Sequence, residues 1–153
     1  MHLLADHLVA MIWMNDKYFL DTNILVYTFD RSVPDKKLVA NTLVENALTH
    51  KEGVISFQVI QEFINVSTKK FDKPLSQQDA QIYLNAVLSP LCKFHSDTNF
   101  YSQALQTKQR WRYSWYDSLI ITAALNLNCV LLYSEDFQHN QQLDGMTIVN
   151  PFL

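Results

Sequence analysis

The stretch KYFLDTNILVYTFD, residues 17–30, carries Asp21 at the end of an apolar run and follows it at once with Thr22, Asn23 and more apolar residues. An unpaired carboxylate at the edge of a buried element is costly, because desolvation disfavours its charged form unless a partner or a cation compensates it. The rest of the chain has to supply that partner. Working outward from the apolar run at 18–20, further runs suited to buried strands fall at 54–56, 92–95, 130–133 and 147–149. Helical patterns lie between them. Residues 35–50 place Leu38, Val39, Thr42, Leu43 and Ala47 on one face, and 57–70 group Val59, Ile60, Phe63, Ile64 and Ser67. Segments 76–88, 97–111 and 115–127 read as three more helices, the last burying Leu119, Ile120, Ala123, Ala124 and Leu127. Strands alternating with helices predict an α/β fold with a mostly parallel sheet of about five strands, covered on both faces. In such sheets ligand sites gather at the carboxyl ends of the strands, which is where Asp21 falls.

Composition bounds the reading. A chain of 153 residues with 48% hydrophobic and 18% charged content predicts one soluble domain with a sizeable core. The formal charge of -3 argues against a general polyanion binder but leaves room for a local basic groove. Cys92 and Cys129 lack CxxC spacing and sit in apolar stretches, which predicts free, buried thiols in a reducing compartment, the cytoplasm. The apolar segment 8–14 is far shorter than the ~20 residues of a membrane span. It also lacks the basic flank and cleavage site of a signal peptide, so no membrane association is expected. The organisation expected is an N-terminal extension, 1–16, upstream of an alternative start at Met14, and one domain over 17–153.

Three further acids stand at comparable places. Glu62 lies in the first turns of the helix after 54–56, Asp117 opens the helix 115–127, and Asp136 follows the strand 130–133. On one rim of a parallel sheet these carboxylates would converge with Asp21 and repel unless they share a proton or bind a cation. Oxygen-only ligands suit Mg²⁺ or Mn²⁺ rather than zinc, and the five histidines show no paired ligand spacing. Such ions serve phosphodiester hydrolysis by lowering the pKa of an attacking water and stabilising the leaving oxygen. Each acid also has a structural reading. Ser114 to Asp117 fits a capping box, Ser134 stands as a cap before Asp136, and Glu62 fits a solvated helix position. Taken singly, those readings are the stronger for the three; Asp21 is harder to dismiss.

The residues FLDTNILVY, VIQEFINV, SWYDSLIITAA and LLYSEDFQ, followed by IVNPF, resemble the PIN-domain nucleases, and within them the VapC-type toxins of toxin-antitoxin pairs. The resemblance runs from about residue 17 to 153. Four motifs in the family's order and rough spacing carry it, each weak alone. It implies a three-layer α/β/α sandwich, Mg²⁺- or Mn²⁺-dependent endoribonuclease activity on RNA, a homodimer and a cognate antitoxin. By position, the family's acidic quartet falls on Asp21, Glu62, Asp117 and Asp136, with Asp21 and Asp117 expected as direct metal ligands. Asn23 and Ser134 match polar residues expected to orient the carboxylates; Thr22 either joins them or caps the following helix. Residues 1–13 are not explained by the family, and Glu135 competes with Asp136 for the last position, which the family spacing gives to Asp136.

The segment KQRWRYSWY, 108–116, mixes Lys108, Arg110 and Arg112 with four aromatics just before Asp117. Basic residues beside aromatics can hold phosphates and stack on single-stranded RNA bases, but packing at a helix junction is the stronger reading of the rings. Lys69, Lys70 and Lys73 form a second cluster that reads as a solvated helix end. The competing function is a non-catalytic RNA- or protein-binding module on the same fold. An aspartyl-phosphatase site is disfavoured because Asn23 stands where DxDx[TV] requires a second aspartate.

Overall fold

Asp21 directly follows β1, Tyr18–Leu20, and β1 lies inside a six-stranded sheet. The computed structural model describes residues 16–153; of the expected extension only Asp16 falls within them, and the alternative start at Met14 lies outside. The other strands are β2, Gly53–Ser56, β3, Cys92–Phe94, β4, Leu131–Tyr133, β5, Gln142–Leu143, and β6, Met146–Val149. Their order is β3-β2-β1-β4-β6-β5, with every neighbouring pair parallel except β5 and β6. The fold is therefore the expected α/β one. The additional strand, β5, is two residues long and returns as a hairpin through Asp144 and Gly145, both at positive φ, too short a run to read from apolar pattern.

Order and handedness together place the helices. From β1 the chain steps outward to β2 and β3, then returns to pair β4 on the other side of β1. Right-handed crossovers then send the first connections to one face of the sheet and the β3 to β4 connection to the other. The first set comprises α1, Thr22–Tyr27, α2, Pro34–His50, α3, Phe57–Lys69, and α4, Gln77–Tyr83. The chain continues from α4 through a π-helical turn, Leu84–Leu88, into α5, Ser89–Leu91, so the expected helix at 76–88 is longer and irregular. The second set is α6, Thr98–Trp111, and α7, Trp115–Asn126, which pack on each other. The reversal of strand order at β1 makes the gap between the carboxyl ends of β1 and β4 the switch point where open α/β sheets place ligands.

The core explains the local choices. Phe19, Leu20, Ile55, Leu132 and Ile148 are fully buried along the strands. Phe29, Phe63, Phe71 and Tyr83 form an aromatic cluster under the α1–α4 layer, with Phe63 stacked on Tyr83 at 4.6 Å. One expected face is rotated: in α2 the buried stripe is Ala40, Leu43, Val44 and Ala47, an i, i+3, i+4, i+7 set, and Leu38 is 61% exposed. On α7 every residue from Ser118 to Ala124 is buried, so this helix is enclosed rather than amphipathic. Gly53 permits the close approach of α2 to β2: a Cβ there would sit 2.3 Å from the Cβ of Ala47. Cys92 and Cys129 are unpaired, the first half-buried and the second buried, where burial pushes the Cys129 thiol up to about 12. Among the described residues no helix is long and apolar enough to cross a membrane.

Candidate functional site

The backbone of Asp21 is fixed by the sheet and its side chain by the helix that follows. Its N–H donates to Tyr133 O at 3.0 Å, tying the ends of β1 and β4 together. Asp21 then serves as the N-cap of α1, with Oδ1 accepting from Thr22 N at 2.8 Å, so the cap is Asp21 and not Thr22. Its Oδ2 accepts from Ser134 Oγ at 2.7 Å. Only 6% of Asp21 is exposed. Burial therefore pushes its pKa up to about 7, against the two hydrogen bonds that favour the anion and with further repulsion from Glu62 and Asp136.

Thr22 and Gln58 bring Glu62 to this rim. The Thr22 hydroxyl donates to Glu62 Oε2 at 2.6 Å, and Gln58 Nε2 donates to Oε1 at 2.7 Å. Glu62 is thus a half-buried, doubly anchored acid rather than a solvated helix residue. Gln58 was not singled out from sequence. The sequence carries one signal for it, its place four residues, one helical turn, before Glu62; the structure adds that Gln58 is 5% exposed. Gln58 also donates to Tyr116 O at 3.2 Å, which joins the start of α3 on one face of the sheet to the start of α7 on the other.

Asp117 sits in the first turn of α7, its N–H donating to the Ser114 hydroxyl at 3.2 Å, as the capping reading expected. Burial raises its pKa, Ser114 counteracts that through a side-chain hydrogen bond, and repulsion from Asp136 and Glu62 adds to the rise. The last acid follows β4. Asp136 N donates to Ser134 Oγ at 3.1 Å, but no helix begins there, so the expected cap is instead a local turn in which Ser134 serves two acids at once. Asn23 Nδ2 closes the turn, donating to Asp136 Oδ2 at 3.0 Å and Ser134 Oγ at 3.3 Å. Glu135 is directed to Tyr27 and Lys36 instead, which agrees with placing Asp136 at the rim.

Mutual repulsion links Asp21, Glu62, Asp117 and Asp136, so four segments from both faces of the sheet meet in one electrostatic neighbourhood. Among the described residues no three acidic, histidine or cysteine side chains are close enough to clasp an ion as they stand. Both oxygens of Asp21 and of Glu62 and Oδ2 of Asp136 accept from protein donors, yet each of these oxygens keeps a second lone pair. Asn23 Oδ1 is buried without a partner, an uncommitted oxygen at the rim. An all-oxygen donor set under mutual repulsion, with one buried acceptor unsatisfied, fits a hard divalent cation in its chemistry.

In the basic segment, packing accounts for most of the rings. Tyr113 packs on Phe137 and donates to Gln141, and Trp115 stacks with Tyr101 at 6.2 Å. Arg110 lies over Trp111 at 4.6 Å and pairs with Asp144 at 3.0 Å, while Lys108 and Arg112 are exposed. Tyr116, 67% exposed, is the segment's one outward ring, beside Asp117.

The sequence matches the PIN domain family over residues 18–142, a span that includes all four acids. The chain belongs to the PIN domain family. A toxin-antitoxin complex from Klebsiella pneumoniae contains a similar fold, with a TM-score of 0.62 at 18% identity over 88% of this chain and 98% of that one. VapBC2 from Rickettsia felis, bound to a DNA fragment from its promoter, gives a TM-score of 0.58 at 19% identity over 86% and 96%. At these identities the likeness is one of fold. No curated protein matches the sequence. The six-stranded, mostly parallel sheet flanked by helices is thus this chain's version of the PIN domain.

Proposed function

We propose that this PIN domain is a Mg²⁺- or Mn²⁺-dependent endoribonuclease and the toxin of a toxin-antitoxin pair. What supports the reading is the hydrogen bonding that draws Glu62 and Asp136 to Thr22 and Asn23, the two residues after Asp21, and, through Gln58, ties Glu62 to the start of α7, where Asp117 lies. Asp21 and Asp117 are the proposed direct ligands, with Glu62 and Asp136 completing the site. When bound, the ion would lower the pKa of an attacking water and stabilise the leaving oxygen of an RNA phosphodiester. The chain's own part is orientation. Ser134 holds Asp21 and the Asp136 backbone, Asn23 holds Asp136, and Thr22 and Gln58 hold Glu62. Lys108, Arg110 and Arg112, which lead into α7, are the proposed phosphate contacts. The fold likeness to chains in toxin-antitoxin complexes supports a cognate antitoxin; a homodimeric state and a cytoplasmic location belong to the same proposal.

One observation favours the alternative of a non-catalytic RNA- or protein-binding module. Thr22, Gln58, Ser134 and Asn23 engage the carboxylates so fully that the acids have a structural use without an ion. A single experiment separates the two. Purified chain is incubated with a transfer-RNA pool and titrated with Mg²⁺ and Mn²⁺ beside Asp117→Asn. The nuclease gives discrete products that require metal and vanish in the folded mutant. Cleavage that persists in the mutant refutes the site, and absent cleavage with no calorimetric Mn²⁺ binding establishes the binding module.

A further inference from the structure

The turn carrying Ser134 and Asp136 is held at two points along one face of α1. Asn23 of α1 donates to Ser134 and Asp136. One helical turn on, Tyr27 donates its hydroxyl to Glu135 Oε1. Lys36, in the first turn of α2, donates to Glu135 Oε2 at 3.0 Å and to the Tyr27 hydroxyl at 3.3 Å. Its ammonium also lies 4.8 Å from the Tyr27 ring centroid and 5.4 Å from that of Phe152, while Tyr27 and Phe152 meet edge to face at 4.9 Å. Tyr27 of α1 and Lys36 of α2 therefore both hold the Glu135 carboxylate, and Phe152 of the C-terminal segment packs on these two residues. Glu135 is 22% exposed at its side chain, so the pair with Lys36 is partly shielded from solvent.

We propose that Glu135 is a positioning residue: anchored by Tyr27 and Lys36, it fixes the turn 134–136 so that Asp136 stays against Asn23 at the acidic rim. The hydrogen bonds give the reason. Ser134 bonds Asp21 and Asn23, and Asp136 bonds Asn23, while Glu135 between them bonds Tyr27 and Lys36, so segment 134–136 has two separate attachments to the helices beside it. Asp136 is itself exposed and is held by hydrogen bonds with Asn23 and Ser134; without the Glu135 anchor the turn has one attachment to α1, at Asn23, instead of two. Lys36 gives that anchor direction by combining an ion pair with contact to two rings, a geometry that an arginine can also supply.

The inference deepens the metal-site reading but is tested first without metal. In the metal-free full chain, amide hydrogen exchange is measured at Asp136 and at Leu132 in β4 for wild type, Glu135→Ala, Lys36→Met and Lys36→Arg; Mn²⁺ affinity is then measured by calorimetry. Glu135→Ala is expected to speed exchange at Asp136 by about tenfold or more while Leu132 is unmoved. It should weaken Mn²⁺ binding on the order of tenfold, the usual consequence of losing a group that orients a ligand. Lys36→Met should shift both in the same direction by less, and Lys36→Arg should remain near wild type. Unchanged exchange at Asp136, or equal acceleration at Leu132, overturns the positioning role. If exchange behaves as expected but wild type binds no Mn²⁺, the metal reading fails and the positioning of Asp136 stands. If Glu135→Ala leaves exchange unmoved and abolishes Mn²⁺ binding as Asp136→Asn does, Glu135 is itself a ligand and the inference is overturned.

Discussion

Replacing Asp21 with asparagine should stabilise the metal-free protein at neutral and alkaline pH while removing its proposed metal ligand. The side chain is buried and its pKa rises from 3.8 to about 7, chiefly by desolvation. The folded state therefore holds a proton that the unfolded chain has already released, and the sign of the linkage follows. The stabilising contribution is fully present below about pH 4, declines as pH rises to about 7, and is absent above that. A rise of this size corresponds to about 4 kcal/mol of stability lost across that window. Asparagine fills nearly the same volume and still accepts from Thr22 N, but the Ser134 hydroxyl loses its anionic acceptor, costing about 1 kcal/mol. The net gain at pH 8 is on the order of 2–3 kcal/mol, or a Tm increase of roughly 5–10 °C. Urea denaturation of EDTA-treated wild type and Asp21→Asn at pH 4, 6 and 8 reads it directly. The difference should be near zero or slightly unfavourable at pH 4 and grow with pH. A pH-independent difference, or an asparagine variant weaker than wild type at pH 8, would show that the carboxylate is solvated or paired in a way these contacts do not capture. Adding Mn²⁺ at pH 8 should raise the wild-type midpoint more than that of the variant, because only the carboxylate gains the cation.

Two other substitutions probe the supports of the site. Ser134→Ala removes a donor to Asp21 and an acceptor for Asp136 N, and should cost about 1–3 kcal/mol in urea at pH 8. It should also move the Asp21 titration further upward, read by carboxyl-carbon NMR; an unmoved titration would mean that Ser134 does not stabilise the anion. Gly53→Ala puts a methyl group 2.3 Å from Ala47 Cβ and 2.8 Å from the Tyr18 ring, so α2 must shift from β2. The expected loss is about 3 kcal/mol in denaturant midpoint with an unchanged slope, and a loss under about 0.5 kcal/mol would show that the helix moves freely.

The architecture was legible where pattern and burial coincide. Each expected apolar run is a strand because short β-rich runs between helices have few other ways to bury both faces, and the acids then follow from topology. The misread features have different physics. The exposed Leu38 shows that an apolar count cannot fix a helix face when Ala40 and Ala47, small enough to approach the sheet closely, define the stripe instead. The β5 strand is fixed by its antiparallel pairing with β6, a tertiary contact with no periodicity in two residues. The same holds for Gln58 and Lys36: their partners Glu62 and Tyr116, or Glu135 and Tyr27, come from other elements except for one helical neighbour. The place of Asp136 after β4 is legible from the strand pattern, whereas its bond to Ser134 belongs to a local turn and not to the expected helix cap.

Structural and catalytic readings of the acids are not rivals at this rim. Asp21 caps α1 and Asp117 lies in the first turn of α7, so the amino ends of two helices face the acidic neighbourhood. Unsatisfied N–H groups there carry partial positive charge, worth typically 0.3–1 kcal/mol to a nearby carboxylate. That is too little to cancel burial at Asp21, whose pKa remains raised to about 7, but it lowers the repulsion the fold must bear without an ion. A chain that had to gather four carboxylates with no such compensation would separate them or protonate them. Here capping at Asp21 and Ser114, with the bonds from Thr22, Gln58 and Asn23, holds the acids while leaving their repulsion only partly relieved. On the proposed reading that residual repulsion is what a divalent cation would remove, so the bonds that stabilise the fold would also leave the site a reason to take an ion.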